Sequence, residues 1–232
     1  MTAFIDWLSQ PMVLLFLSVL TFFVTERLHR RYKIALAHPL VLGSLGLGLL
    51  LLPLGIQASA YEQANQFLIF LLSPAVVALA LPLYRYRHTI LKNQKLIYSL
   101  VFYGAIVSAA IAFYLAVAFE AEIETLRAVV AKSVTTPIAV ELVRITGGNI
   151  PLIVAVVVFT GIFGAMVGPT ILRWFGITDD KTVGLILGIT SHGMGAVKSF
   201  EISPKAGAFA SLGMALTGVV TAIGIGLYVY FV

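Results

Sequence analysis

The chain alternates long apolar stretches with short polar ones. A bilayer-spanning helix needs about 20 apolar residues. Runs that meet this length cover 8–26, 36–55, 66–84, 96–118, 150–172 and 206–231. Two further stretches, 121–147 and 180–203, read apolar–polar–apolar. Their halves are about ten residues each, enough for half a bilayer at ~1.5 Å per residue. The pattern predicts an all-α integral membrane protein, a polytopic helical bundle with discontinuous or re-entrant helices. The polar insertions are unusual in content. "KSVTTPIA" (132–139) places a lysine, three hydroxyls and a helix breaker between two apolar flanks.

Composition supports the membrane reading. The chain is 60% hydrophobic and 11% charged, against about 45–50% and about 25% for a soluble domain. The net charge of +5 therefore does not imply nucleic acid, because the cations flank apolar runs. Arg27, Arg30, Arg31 and Lys33 follow the first run, and Arg85, Arg87, Lys92 and Lys95 follow the third. Both clusters are expected in the cytoplasm. Glu62, Glu120, Glu122 and Glu124 mark the opposite side. With Asp6 ahead of it and no small-residue cleavage site after it, the first run reads as a retained span. Cysteine is absent, which excludes disulfides and thiolate chemistry. His29, His38, His88 and His192 lack zinc spacing, and there is no nucleophile–base pair or phosphate loop. Neither an enzyme nor a cofactor is expected.

The second half carries a repeat. A shift of 57 positions lays "TTPIAVEL" (135–142) over "HGMGAVKS" (192–199) and "FTGIFGA" (159–165) over "LTGVVTA" (216–222). Thr160-Gly161 then meets Thr217-Gly218. "LLSPAVVALALP" (71–82) carries Ser73-Pro74 as a weaker third copy at a different offset. Two topologies fit. If both polar stretches cross fully, there are eight spans and the copies are parallel. If each is a re-entrant hairpin, each copy contains one crossing and the copies are inverted, as in many secondary transporters. The inverted arrangement puts Arg173, Lys181, Lys198 and Lys205 in the cytoplasm. It is the reading we prefer.

Irregular backbone at membrane depth survives only where protein buries it or a wet cavity adjoins it. Thr136 is a suitable N-cap and Pro137 a suitable first helical residue. In the second copy Ser191 is the candidate cap, with Gly193 and Gly195 allowing close approach. Two helix starts meeting near the midplane would form an anion site. Lys132, Lys198, Ser133 and Thr135 would add charge and hydrogen bonds, and His192 would bind the anion or carry a proton. Ser73, Pro74, Glu141 and Glu201 are secondary candidates. Each residue also has a plain structural reading. A Thr-Pro pair often only kinks a helix, His192 can serve as a packing residue, Lys132 and Lys198 can snorkel, and Glu141 and Arg144 can pair with each other at i,i+3. The concentration of polarity at the two breaks that one offset aligns favours the functional reading.

The strings "PAVVALALPLY" (74–84), "KSVTTPIAVE" (132–141), "GITSHGMGAVKSFE" (188–201) and "GAFASLGMALTG" (207–218) resemble the LrgB/CidB family across nearly the whole chain. The family is usually named antiholin-like or a murein hydrolase exporter or regulator, and its members often work beside a small LrgA/CidA-type membrane protein. Plastid relatives are glycolate/glycerate translocators, and some bacterial relatives are linked to pyruvate uptake. The resemblance implies a multi-pass protein of the bacterial inner (cytoplasmic) membrane that transports short carboxylates. The family usually reads Ser-His-Ala-x-Gly-Thr-Ala where this chain has Ser191-His192-Gly193-Met194-Gly195-Ala196-Val197, so a hydroxyl is absent at Ala196.

Three functions compete: a secondary carrier for small monocarboxylates coupled to protons or sodium, a holin- or antiholin-like component that modulates lysis, and a structural subunit regulating its small partner. Holin-type association needs only self-associating spans, whereas a carrier needs midplane breaks. The carrier is the expectation, with membrane lipids, the carboxylate, an LrgA/CidA-like protein and a second copy of the chain as partners. Residues 1–118 are expected to form a scaffold and 119–232 a transport core.

Overall fold

The structure, a computed structural model, describes residues 2–32 and 39–231. Lys33 and His38 lie outside the described residues, as does the side chain of Ser73. Among the described residues the chain is helical throughout, and five helices have the length and apolarity to cross a membrane. They are Pro11–Tyr32, Gln66–Arg85, Gln94–Ala118, Ile150–Trp174 and Pro204–Phe231. The run predicted at 36–55, whose first three residues lie outside the described ones, ends earlier than expected. Its helix covers Pro39–Leu51, because Pro53 and Gly55 follow in a turn, where proline cannot continue the ladder.

Contacts divide the chain into two compact units, Met1–Ala78 and Leu79–Val232. The first contains α1 (Thr2–Leu8), α2 (Pro11–Tyr32), α3 (Pro39–Leu51), α4 (Ala58–Ala64) and α5 (Gln66–Ala78). Its core gathers Leu8, Leu14, Leu51, Ile56 and Ala64. Ser18 Oγ and Tyr61 Oη, 2.7 Å apart, tie α2 to α4.

The second unit contains α6 (Ala80–Arg85), α7 (Arg87–Lys92), α8 (Gln94–Ala118), α9 (Ile123–Val129), α10 (Thr136–Thr146), α11 (Ile150–Trp174), α12 (Asp180–Ile202) and α13 (Pro204–Phe231). It therefore includes α8 together with both polar breaks. Asn149 caps α11 by accepting a hydrogen bond from Leu152 N (2.9 Å), and Pro151 sits in that helix's first turn. Asp179 caps α12 in the same way through Thr182 N (3.2 Å). Burial pushes the Asp179 carboxyl up, but the two hydrogen bonds from Thr182 and the charges of Lys181 and Lys205 outweigh it and hold the group below its ordinary value.

Both polar stretches fold back on themselves. At the end of the first, Asn149 N donates to Glu124 O across 3.1 Å, and Gly148 lies against Ala128 N and Glu124 O. The end of α10 thus returns to the start of α9. At the end of the second, Ser203 Oγ reaches Asp180 Oδ2 at 2.8 Å. The helical stretch α12 is a kinked pair, broken at His192, whose φ of 40° and ψ of −126° are not helical. Gly195 packs directly on the Leu187 carbonyl, eight positions upstream, a contact impossible in a straight helix at ~1.5 Å rise per residue. A side chain at 195 would collide with that carbonyl.

The consequence is topological. A segment that leaves and returns on one side does not cross, so each hairpin adds no span. The chain crosses in α8, re-enters through α9 and α10, crosses back in α11, re-enters from the opposite side through α12 and crosses again in α13. Hairpin plus span therefore occurs twice with opposite direction. This is the inverted arrangement. Within the second copy, Gly184 and Gly188 sit on the carbonyls of Ala206 and Ala210. The first half of α12 and the start of α13 consequently run parallel in close backbone contact.

Candidate functional site

The first break spans residues 130–135, between α9 and α10. Thr135, not the expected Thr136, is the N-cap of α10: its φ and ψ are −68° and 150°, and its carbonyl accepts the first helical bond from Ala139 N at 2.9 Å. Its side chain makes no capping bond. The one-residue shift follows from the helix start itself. The first four N–H groups of a helix are all unpaired, so Pro137 fits the second position as well as the first.

Lys132 turns its ammonium to hydroxyls. Its Nζ donates to Ser108 Oγ at 2.8 Å and to Ser133 Oγ at 3.2 Å, and the two serine oxygens lie 2.6 Å apart. Ser133 is buried and Lys132 half-buried. Ser108 was not anticipated. It lies about 21 Å along the ~37 Å of α8 at ~1.5 Å per residue, close to the middle of a spanning helix. No local pattern in the sequence separates it from Ser99, which only returns a bond to Leu96 O on its own helix.

The second break is His192. Its imidazole is buried and its Nε2 lies 3.1 Å from Val157 O on α11. A carbonyl only accepts, so Nε2 carries the hydrogen. The ring sits against Gly161: a Cβ there would fall 2.6 Å from His192 Cε1. The φ of 40° is a conformation L-residues rarely adopt, and its cost is of order 1–3 kcal/mol. Ser191 ends the first half of α12 and does not begin the second, so it is not the cap expected. Its buried hydroxyl meets Thr190 Oγ1 at 3.2 Å.

The 57-residue offset reappears in three dimensions. Gly161 of α11 seats the tip of the second hairpin through His192 and Met194, and its offset mate Gly218 of α13 seats the first hairpin through Ile138 Cδ1. Each spanning helix supports the other copy's hairpin. Gly104 of α8 lies against Ile189 of α12, and Ser108, one turn further along α8, holds the Lys132 ammonium, so the lysine stands near the tip of the second hairpin. Two helix starts, at Thr136 and after His192, thus open beside a lysine and a set of hydroxyls. Such a setting suits a small anion.

The other candidates have different surroundings. Lys198 pairs with Glu201 at 2.7 Å, and Glu141 with Arg144 at 3.6 Å, on partly or wholly exposed surfaces near the open ends of the hairpins. Pro74 is exposed within α5 in the other unit. Gly193 has open space, with Met214 Sδ 3.9 Å from its Cβ position.

Residues 18–231 match the LrgB-like family. The chain is 28% identical over 214 residues to the "Holin-like protein CidB" of Staphylococcus aureus (strain Mu50 / ATCC 700699), covering 92% of this chain and 93% of that protein. It is 31% identical over 210 residues to the "Uncharacterized protein YwbG" of Bacillus subtilis (strain 168), covering 90% and 93%. It is 32% identical over 209 residues to an "Uncharacterized protein" of Haemophilus influenzae, covering 90% of each. No solved structure matches the chain. With the family match running across nearly every residue that builds the spans, both hairpins and their tips, this multi-pass membrane chain belongs to the LrgB-like family.

Proposed function

We propose that this protein is a secondary carrier for small monocarboxylates such as glycolate, glycerate or pyruvate, working by alternating access in the bacterial inner membrane. One observation carries the reading. The Lys132 ammonium sits near the middle of the spanning helices with hydroxyl partners, Ser108 and Ser133, and no carboxylate partner among the described residues. A cation at membrane depth is expensive unless it is paired. A carboxylate ligand supplies the missing charge, and the starts of α10 and of 193–202 add amides to hold it. The inverted hairpins supply the symmetry that alternating access uses. The test is counterflow: purified protein in liposomes preloaded with unlabelled glycolate or pyruvate should concentrate the labelled acid transiently. No counterflow with any short carboxylate sinks the reading.

The name "Holin-like protein CidB" carried by relatives favours a second reading, a component that modulates murein hydrolases and lysis. It predicts size-limited leakage of uncharged solutes from the same liposomes, without saturation. An LrgA/CidA-like small protein and a homodimer are the partners we expect under either reading.

A further inference from the structure

Among the described residues, two buried side-chain polar atoms have no hydrogen-bond partner: Asn65 Oδ1 in the first unit and Thr217 Oγ1 in the second. Thr217 is the more informative. It is fully buried and sits mid-way along α13. Three other hydroxyls of α12 and α13 return a bond to their own backbone four residues upstream. Ser211 Oγ reaches Gly207 O at 2.9 Å, Ser199 Oγ reaches Gly195 O at 2.7 Å, and Thr190 Oγ1 reaches Ile186 O at 2.8 Å. Thr217 forgoes that bond. A buried hydroxyl without a partner carries a desolvation penalty, so its native surroundings supply a compensating reason for it.

Its neighbours locate it. Gly213 packs on Leu185 O and Ile189 N of the second hairpin, and Met214 reaches Gly193 at that hairpin's tip. Thr217 follows one turn later on the same face, just past the point where the hairpin turns back. The next residue, Gly218, meets Ile138 in the first turn of α10. Thr217 therefore lies where the tip of one hairpin and the helix start of the other converge. Its offset mate Thr160 stands in the same relation to Gly161 and His192.

We propose that Thr217 is a ligand-binding, specificity-determining residue of the site between the hairpins, its hydroxyl engaging a second oxygen on a short carboxylate whose charged end is held at Lys132. The proposal rests on the carrier reading for its ligand class. It makes the site selective: an acid with a hydroxyl or keto oxygen at carbon 2 satisfies Thr217, and one with neither, such as acetate, leaves the hydroxyl stranded. Sites built to hydrogen-bond a ligand hydroxyl discriminate strongly against analogues that lack it.

Glycolate and acetate differ by that one hydroxyl. Binding of each is measured by thermal stabilisation of the purified protein in detergent, and transport separately by counterflow in liposomes. Wild type should bind glycolate at least about tenfold more tightly than acetate. Thr217→Val should reduce that ratio about fivefold, the effect of losing one uncharged hydrogen bond. Thr217→Ser should retain it. Without ligand, Thr217→Val should melt at or above the wild-type temperature, because it removes an unpartnered hydroxyl. An unchanged glycolate-to-acetate ratio in Thr217→Val, or no stabilisation of wild type by either acid, overturns the proposal. Binding with the expected ratio but no counterflow overturns the carrier reading and leaves Thr217 as a binding residue.

Discussion

Ser203 Oγ donates a 2.8 Å hydrogen bond to Asp180 Oδ2, joining the two ends of a helical segment across 23 positions. That bond places both ends of α12 at one membrane face. The backbone bond from Asn149 to Glu124 does the same for the first hairpin at the other face. The absence of native cysteine makes this directly testable. Glu122→Cys and Arg144→Cys should both react with an impermeant thiol reagent added outside the cell. Thr178→Cys and Glu201→Cys should react only after permeabilisation. All four positions are exposed. If both stretches crossed fully, each pair would split between the two sides.

Removing the charge at the first tip should impair function more than expression. Lys132→Ala is expected to raise the half-saturating substrate concentration about tenfold or more, since hydrogen bonds to charged groups contribute about 1.5–3 kcal/mol. Ser108→Ala, which leaves Lys132 with Ser133 alone, should give a smaller loss, about two- to tenfold. Wild-type uptake by a normally expressed Lys132→Ala protein takes the lysine out of the site.

The two hairpin seats should respond unequally to the same change. In Gly161→Ala the new methyl would lie 2.6 Å from His192 Cε1 and 2.9 Å from Met194 Cγ. The ring is pinned by Val157 O and by its own backbone, so it has little room to retreat. A destabilisation of about 1–3 kcal/mol is expected from overpacking. In Gly218→Ala the contact is Ile138 Cδ1 at 3.0 Å, the far end of a flexible side chain, and the cost should fall below that of Gly161→Ala. Melting temperatures of the two variants in detergent decide the matter. Equal losses would mean the seats are equally rigid.

The sequence foretold this asymmetric pair better than it foretold the contacts themselves. One offset picked out both breaks and both Thr-Gly seats, because internal duplication preserves spacing even where few identities remain. The re-entrant folding was one of two readings, since ten-residue half-helices fit a hairpin or a broken span equally. The long-range contacts of Asn149, Gly195 and Ser203 distinguish them, and such pairings leave no local trace. Ser108 was invisible for the same reason: a lone serine in an apolar helix most often bonds its own backbone. Lys198 is a different case. Its i,i+3 spacing to Glu201 already offered an ion pair, and that pair is what the fold uses.

His192 is expected to take part in coupling as well as in shape. A carboxylate crossing alone moves charge against an inside-negative potential, about 2.3 kcal/mol per 100 mV. A co-transported proton cancels that charge, and imidazole is the side chain that titrates near neutrality. The geometry supplies a reason for the two to travel together. Lys132 is held by Ser108, one turn beyond the contact of Gly104 with Ile189, and so stands near the tip that carries His192, where like charges oppose each other. A carboxylate bound at Lys132 neutralises that opposition, so anion binding favours a proton on the imidazole. Because Nε2 already donates to Val157 O, the added proton falls on Nδ1 and the structural bond survives. His192→Gln separates the roles, since its amide can donate to Val157 but does not titrate. The variant should still exchange labelled substrate at equilibrium while losing acceleration by an imposed pH gradient. Gradient-driven uptake equal to wild type would leave His192 as the pin that holds the tip of α12 on α11, and nothing more.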